Sequence, residues 1–193
     1  MKNVILFIDG SNFYYSLKKI YGGSKSLMRF NFLKLGEILA RDRNLLRIFY
    51  YNAPLDYNSN HDKYSKQQQF FDKVKNTEKV KLILSRLQKR KIKGTDKYYY
   101  VVKGDDIHIA VDMVKGAYES TFDVAILVSG DGDFIPAVEV VQEKGKSVEN
   151  AYFKRSLSWH LKQECDKSIS LTKELLDNCF DEESKQSVEG VKL

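Results

Sequence analysis

The sequence has few of the residues that would indicate a fold held together by disulfides or metal. It contains only 2 cysteines and 3 histidines in 193 residues, and their spacing does not match that of zinc sites. We therefore expect Cys165 and Cys179 to be free thiols in a reducing cytoplasm. A chain of this length can bury enough surface to fold without crosslinks.

Long hydrophobic runs are also missing. No segment approaches the roughly 18 apolar residues that a transmembrane helix needs. The apolar run near the N-terminus ends at Asp9, which makes it too short for the core of a signal peptide. The sequence has only 2 prolines and shows no internal repeat. These absences predict a cytoplasmic globular protein that does not contact a membrane.

Positive charge is in modest excess, and one segment accounts for it. Lys plus Arg number 32 and Asp plus Glu number 26, a net charge of +6. Residues 86–103, which we call the basic segment, contain one acid, Asp96, and several cations beside three consecutive tyrosines that begin at Tyr98. The cations are Arg86, Lys89, Arg90, Lys91, Lys93, Lys97 and Lys103. Cations and aromatic faces together predict a groove for single-stranded nucleic acid, although a solvated hairpin edge would show the same pattern.

Apolar runs alternate with amphipathic segments along the chain. Strands are predicted at 3–8, 45–52, 79–87, 98–103, 122–129 and 147–152, with the basic residues forming a loop between the third and the fourth. Helices are predicted after DGSN at 9–12 and at 31–41, 60–76, 106–118 and 134–144. This alternation predicts a single α/β domain with a mainly parallel central sheet flanked by helices.

Acidic residues follow two of the predicted strands directly. Asp9 follows the first, and Asp131 and Asp133 follow the strand that ends near Ser129. Functional crevices of parallel sheets lie outside the carboxyl ends of the strands, so the three acids converge if the two strands are neighbours. Converging carboxylates repel one another unless a cation such as Mg²⁺ or Mn²⁺ lies between them. Structural turns and helix caps are the alternative interpretation.

The helix predicted at 106–118 carries a further group of acids. Asp106 heads the stripe that faces the sheet, so it either points into the same pocket or caps the helix. Asp105 lies in the first turn, where the helix dipole favours an acid and where it could support the site. Asp112 and His108 lie on a polar stripe that we expect to face solvent, although Asp112 is kept as a supporting candidate.

Three motifs in this order, FIDGSNFYYSL, KGDDIHIAVDM and DVAILVSGDGDF followed by GKSV, resemble the NYN domains of the LabA-like group in the PIN-like superfamily. The resemblance covers residues 3–155 approximately. It implies a Rossmann-like fold, an acidic Mg²⁺ or Mn²⁺ site and ribonuclease activity. One departure is Asp105, which stands where many relatives have an apolar residue, so the composition of the metal site stays open.

Transferred by motif, the resemblance assigns roles to individual residues. It implies that the metal ligands are Asp9, Asp106, Asp131 and Asp133, all of them catalytic together with Asn12. Asn12 and Ser129 would orient water or phosphate. The supporting candidates are Ser11, Asp105, Ser129 and Asp112.

The prediction that combines these observations is a metal-dependent ribonuclease acting endonucleolytically on single-stranded RNA. An RNA-binding regulatory module with little catalysis is one alternative. A metal-dependent phosphoesterase or nucleotide-sugar enzyme that uses Asp131 and Asp133 is another. Expected partners are RNA, another single-stranded nucleic acid and a second copy of the chain. We expect residues 1–155 to form the domain, 156–180 a helical extension and 181–193 a flexible polar tail.

Overall fold

A computed structural model describes residues 1–58, 60–96 and 98–181, with backbone only for 100–103. The predicted tail at 181–193 therefore lies outside the described residues except for Asp181. In the described part the strands are β1 (Asn3–Asp9), β2 (Asn44–Asn52), β3 (Val80–Leu84), β4 (Arg86–Lys91), β5 (Tyr98–Lys103), β6 (Val124–Val128), β7 (Ser147–Tyr152) and β8 (Lys167–Ser170). The helices are α1 (Gly10–Tyr21), α2 (Phe32–Ala40), α3 (His61–Lys75), α4 (Asp105–Tyr118), α5 (Ile135–Glu143), α6 (Trp159–Glu164) and α7 (Lys173–Asp177).

The central sheet is parallel throughout and has the order β3-β2-β1-β6-β7-β8. Its strands therefore follow the doubly wound order, with the direction of winding reversing between β1 and β6. The predicted fold class, a single α/β domain with a mainly parallel sheet flanked by helices, is confirmed. None of the helices in the described part of the chain is long and apolar enough to cross a membrane.

Each face of the sheet carries its own hydrophobic core because successive side chains of a strand point to opposite faces. Leu6 of β1 packs in the core that includes Phe13 of α1, and Phe7 packs in the core that includes Met113 of α4. Both cores also contain side chains of β2 and β6, the strands next to β1. The apolar runs that predicted these strands are thus apolar because both faces are covered.

The basic segment differs from its predicted form. The strand predicted at 79–87 is divided at Ser85, where β3 of the central sheet ends and β4 begins. β4 and β5 pair antiparallel as a separate two-stranded sheet, with Lys91 opposite Tyr98. The basic residues Lys89, Arg90 and Lys91 are therefore on a strand rather than in a loop, which corrects the prediction.

The segment at 156–180 contains a strand as well as the predicted helices. β8 pairs parallel with β7 and forms the edge of the central sheet. Leu161, Leu171 and Leu176 are buried in the two cores, and both cysteines are free and buried. This segment thus completes the sheet and its cores.

Candidate acidic site at the carboxyl edge of the sheet

The two strands that carry the predicted acids are neighbours. β1 and β6 pair in parallel, with Ile8 opposite Val128, so their carboxyl ends meet at one edge of the sheet. Asp9 is the last residue of β1, and Ser129 follows β6 directly. The pairing of the two strands, on which the predicted convergence of the acids depends, is therefore present.

Asp9 is held from both sides. It is 7% exposed, and it caps α1 by accepting a hydrogen bond from the backbone N–H of Asn12 at 2.9 Å. Its other carboxylate oxygen accepts a hydrogen bond from the Ser129 hydroxyl at 3.0 Å. Burial raises the pKa of Asp9, the bonds from Asn12 and Ser129 lower it in part, and the charges of Asp105 and Asp131 raise it. The capping role and a place in the acidic site thus coexist in one side chain.

Ser129 joins the end of β1 to the loop that follows β6. Its hydroxyl donates to Asp9 and accepts from the backbone N–H of Asp131 at 3.2 Å. Asp131 in turn accepts from the backbone N–H of Asp133 at 2.9 Å, at the start of a short 3-10 helix. These bonds fix the backbone that carries both loop acids. Asp131 is half-buried and Asp133 is exposed.

Two glycines let neighbouring chain segments approach the acids closely. A Cβ atom on Gly130 would collide with the carbonyl group of Ser156, and one on Gly10 would collide with the carbonyl oxygen of Tyr51. Glycine is needed at both positions because of this close approach rather than because of an unusual backbone angle.

The start of α4 brings two more acids to the site. Gly104 is the N-cap residue, with φ at 92°, and no side chain caps this helix end. Partial burial is the largest cause of a raised pKa of about 6 for Asp106. The other contributions, in decreasing order, come from the carboxylates of Asp105, Asp9, Asp131 and Asp133. The capping alternative for Asp106 is wrong, because no side chain caps α4. Asp106 and these four aspartates, which together we call the acidic site, interact electrostatically.

Asp112 is held by the sheet, which corrects its assignment to a solvent-facing stripe. It is half-buried and accepts a hydrogen bond from the Tyr51 hydroxyl of β2 at 2.9 Å. His108 is exposed, as predicted, but its Nδ1 and the hydroxyl of the buried Ser85 are hydrogen-bonded at 3.2 Å. This stripe of α4 therefore follows the ends of β2 and β3.

Asn12 and Ser11 lie in the first turn of α1, and both are half-buried. The Ser156 hydroxyl donates to the side-chain oxygen of Asn12 at 3.5 Å. Asn12 is thus connected to the segment after β7 as well as to Asp9. No hydrogen bond that would define a role for Ser11 is described.

Asn150 of β7 is a positioning residue that the sequence analysis missed. It is fully buried, and its amide group donates to the carbonyl oxygens of Leu127 at 3.2 Å and Ser129 at 2.8 Å. Its own oxygen has no hydrogen-bond partner among the described residues. The available signal was a polar residue inside a buried strand, because such a residue needs hydrogen-bond partners.

The basic segment leaves the sheet at the carboxyl end of β3 and returns at α4. Lys89 lies over the Tyr98 ring at 4.4 Å from its centre, and Lys91 pairs with Asp96 at 3.0 Å. Arg86, Arg90 and Lys93 are exposed. Lys97 lies outside the described residues, and so does the side chain of Lys103. The segment therefore presents cations and aromatic rings on a hairpin that connects the carboxyl end of β3 to the helix carrying Asp105 and Asp106.

The acidic site fits a hard divalent cation by its chemistry. Its donors are carboxylate oxygens, which Mg²⁺ and Mn²⁺ prefer. Burial is the main cause of the raised pKa values of Asp9 and Asp106, and neighbouring carboxylates add a smaller contribution that a cation would offset. Within the described ranges, however, no group of three or more acidic, histidine or cysteine side chains is arranged so that it could hold an ion. Side-chain rotation would therefore have to accompany metal binding.

The strand order and the position of the acids define the class of this protein as a Rossmann-like α/β domain with an acidic site where the winding reverses. The chain belongs to the NYN domain family, whose model matches residues 3–174. The matched range includes β8.

Two solved structures are similar to the chain. A protein of unknown function from Vibrio parahaemolyticus has 22% sequence identity and a TM-score of 0.68, with 90% of this chain and 94% of that chain covered. This likeness shows a shared fold. The D15 flap endonuclease of bacteriophage T5, in a complex with DNA and metal ions, has 17% identity and a TM-score of 0.42, with 83% of this chain and 58% of that chain covered. No curated protein matches the sequence significantly.

Proposed function

We propose that this protein is a metal-dependent nuclease of the LabA-like group that cleaves single-stranded RNA endonucleolytically. The observation that carries the proposal is the meeting of acids at the ends of two paired strands, where the Ser129 hydroxyl is hydrogen-bonded to Asp9 at 3.0 Å and to the backbone N–H of Asp131 at 3.2 Å. Repulsion between these carboxylates opposes their ionisation in the free protein, and a bound divalent cation would offset it. Membership of the NYN family is consistent with this function.

Asp9, Asp106 and Asp131 would hold the metal, with Asp133 as a further ligand. When bound, Mg²⁺ or Mn²⁺ supplies Lewis acidity toward a phosphodiester and lowers the pKa of water. Ser129 keeps the carboxylate of Asp9 in one orientation by its hydrogen bond of 3.0 Å. Asn12, at the first turn of α1, is placed to orient a water molecule or a phosphate oxygen by hydrogen bonding.

The basic segment supports a nucleic acid as the substrate. Its cations would contact phosphates, and the exposed rings of Tyr98 and Tyr99 would stack on bases. A polynucleotide held by this hairpin would lie across the neighbouring acidic site. A small phosphoester would make no use of the segment, which is why we favour RNA.

The proposal is tested by cleavage of a labelled single-stranded RNA by purified protein in Mn²⁺ and in chelator. We expect cleavage in Mn²⁺ only. Combining Asp9→Asn with Asp131→Asn should reduce the rate at least about a hundredfold, since metal assistance contributes several kcal/mol.

The matched control removes two carboxylates near the amino ends of the strands, away from the acidic site. Asp42→Asn combined with Glu143→Gln changes exposed residues before β2 and β7 and should leave the rate unchanged. Equal cleavage by wild type and the Asp9 and Asp131 variant would assign the activity to a contaminant. RNA binding without turnover would favour the regulatory module instead.

A further inference from the structure

A second cationic region lies on the other side of the acidic site from the basic segment. It surrounds a cavity of about 240 Å³ at the carboxyl ends of β7 and β8. Lys154 and Arg155, which follow β7, and Lys173, which follows β8, line the cavity. Because β3 and β8 are opposite edges of the sheet, this cavity and the hairpin flank the acids.

The cavity is lined by groups that suit a nucleotide. Three cations and several hydroxyl groups line it together with apolar side chains such as Phe153, and none of its lining residues is acidic. Within the described part of the chain, Lys154 and Arg155 form no ion pair. Cations and hydroxyls recognise phosphate, and apolar walls accept a base or a ribose.

Ser170 gives an independent indication of a ligand. Its hydroxyl is buried and has no hydrogen-bond partner among the residues that the structure describes, yet Ser170 lines the cavity. An unpaired buried hydroxyl is unfavourable, because it has lost its hydrogen bonds to water without gaining others. Solvent does not reach this hydroxyl in the free protein, so a rotation about χ1 of Ser170 would have to turn it toward the cavity, where a polar ligand would supply the missing partner.

The cavity is connected to the acidic site through Ser156. The Ser156 hydroxyl is hydrogen-bonded to that of Ser16, which lines the cavity, at 3.1 Å, and it also donates to Asn12 at 3.5 Å. Its carbonyl group packs against the glycine between Ser129 and Asp131. Lys154 and Arg155 therefore belong to a short segment that contacts the first turn of α1 and the loop after β6.

We infer that this cavity binds a nucleotide of the substrate strand, with its phosphate on Lys154 and Arg155, while the hairpin holds the strand on the other side of the acids. The inference rests on the proposed function for the identity of the strand. It adds a second binding site and predicts the path of the polynucleotide, along the carboxyl edge of the sheet from β3 to β8.

The test measures equilibrium binding of a fluorescein-labelled oligouridylate of twelve nucleotides, in chelator, over a range of salt concentrations. Lys154→Ala combined with Arg155→Ala should lower the affinity at least about tenfold and reduce the slope of log affinity against log salt by about 1. Lys2→Ala combined with Lys144→Ala is the control, because it removes the same charge from exposed residues near the amino ends of β1 and β7.

Ser170→Ala separates ligand binding from a structural role. Removing an unpaired hydroxyl should leave the melting temperature equal or higher, whereas it should weaken oligouridylate binding. Lower stability with unchanged binding would contradict the inference.

Two further outcomes overturn it. One is a Lys154 and Arg155 variant that binds the oligonucleotide as the control does. The other is that binding of uridine monophosphate depends on Lys154 and Arg155 whereas binding of the oligonucleotide does not. The cavity would then be a site for free nucleotide.

Failure of the proposed function gives a different pattern. Oligonucleotide binding that needs Lys154 and Arg155 in a protein that cleaves no RNA would overturn the nuclease and support the strand site. Cleavage that needs Asp9 and Asp131 but does not change when Lys154 and Arg155 are replaced would support the nuclease and overturn the strand site. A wild-type protein that neither binds nor cleaves would overturn both.

Discussion

Asp106 is a residue whose surroundings oppose its own charge. Its pKa of about 6 lies above the ordinary value of 3.8, so the folded chain binds this proton more tightly than the unfolded chain does. Its contribution to stability is therefore full below about pH 3.8 and is lost as the pH rises through about 6. At neutral pH the charged form of Asp106 therefore destabilises the metal-free protein.

We predict that Asp106→Asn stabilises the metal-free protein at pH 7.5. The expected gain in the free energy of unfolding is about 1 kcal/mol, because the side chain is only partly buried and solvent weakens both the effect of burial and the repulsion. Urea denaturation in chelator at pH 7.5 and pH 4.5 measures it, and the gain should shrink at the lower pH.

Asp42→Asn, on an exposed turn, is the control and should change stability by less than about 0.5 kcal/mol. Mg²⁺ should stabilise wild type more than Asp106→Asn by mass action. A variant that is less stable than wild type at pH 7.5 would show that the charge of Asp106 is not opposed by its neighbours.

At the residue scale, the sequence predicted the strand-end acids, Asn12 and Ser129, but not the residues that connect them to the segments farther along the chain. Asp9 and Asp131 could be found because each follows an apolar strand closely. Asp112 was misplaced, since helical phase alone does not show that Tyr51 reaches it. Ser156 and Asn150 belong to no motif, and their roles depend on contacts between segments distant in sequence.

The β4–β5 hairpin is the element on which RNA binding depends in our proposal. A two-stranded sheet alone is marginally stable, and the contact of Lys89 with the Tyr98 ring helps to hold the two strands together. The exposed residue Arg90 lies between Lys89 and Lys91, on the opposite face of the strand. Both faces of the hairpin therefore carry cations.

We predict that reversing the charge of this strand weakens RNA binding strongly. Lys89→Glu, Arg90→Glu and Lys91→Glu combined should lower the affinity for single-stranded RNA at least about tenfold and flatten its salt dependence, since phosphate contacts are lost. Fluorescence anisotropy of a labelled RNA measures both.

The same reversal at Lys2, Lys34 and Lys144, which are exposed elsewhere, serves as the control for net charge. Unaltered RNA binding and cleavage by the hairpin variant would contradict the role of the segment. The boundary at Ser85 was not predictable, because no glycine or proline marks it.

At the scale of the whole molecule, the C-terminal segment belongs to the core. β8 is short and half polar, and as an edge strand it needs no continuous apolar pattern, so the sequence did not predict it. The internal strands of the sheet were predicted well because burial on both faces requires apolar side chains throughout.

We predict that Leu176→Ala destabilises the protein by about 3 kcal/mol, because it leaves a cavity where a fully buried side chain of α7 packs against the core. Chemical denaturation measures the loss. Glu174→Ala, on the exposed side of the same helix, should change stability by less than about 0.5 kcal/mol. A small effect of Leu176→Ala would mean that the segment after 155 does not stabilise the domain.

The bond between Ser129 and Asp9 has a consequence for the timing of protein synthesis. It joins residues 120 positions apart, and ribosomes add about 5–20 residues per second. A nascent chain therefore carries Asp9 for on the order of ten seconds before Ser129 and the loop acids exist. Any activity of the acidic site begins only after translation has passed this point, and a prematurely terminated chain that ends before it has none.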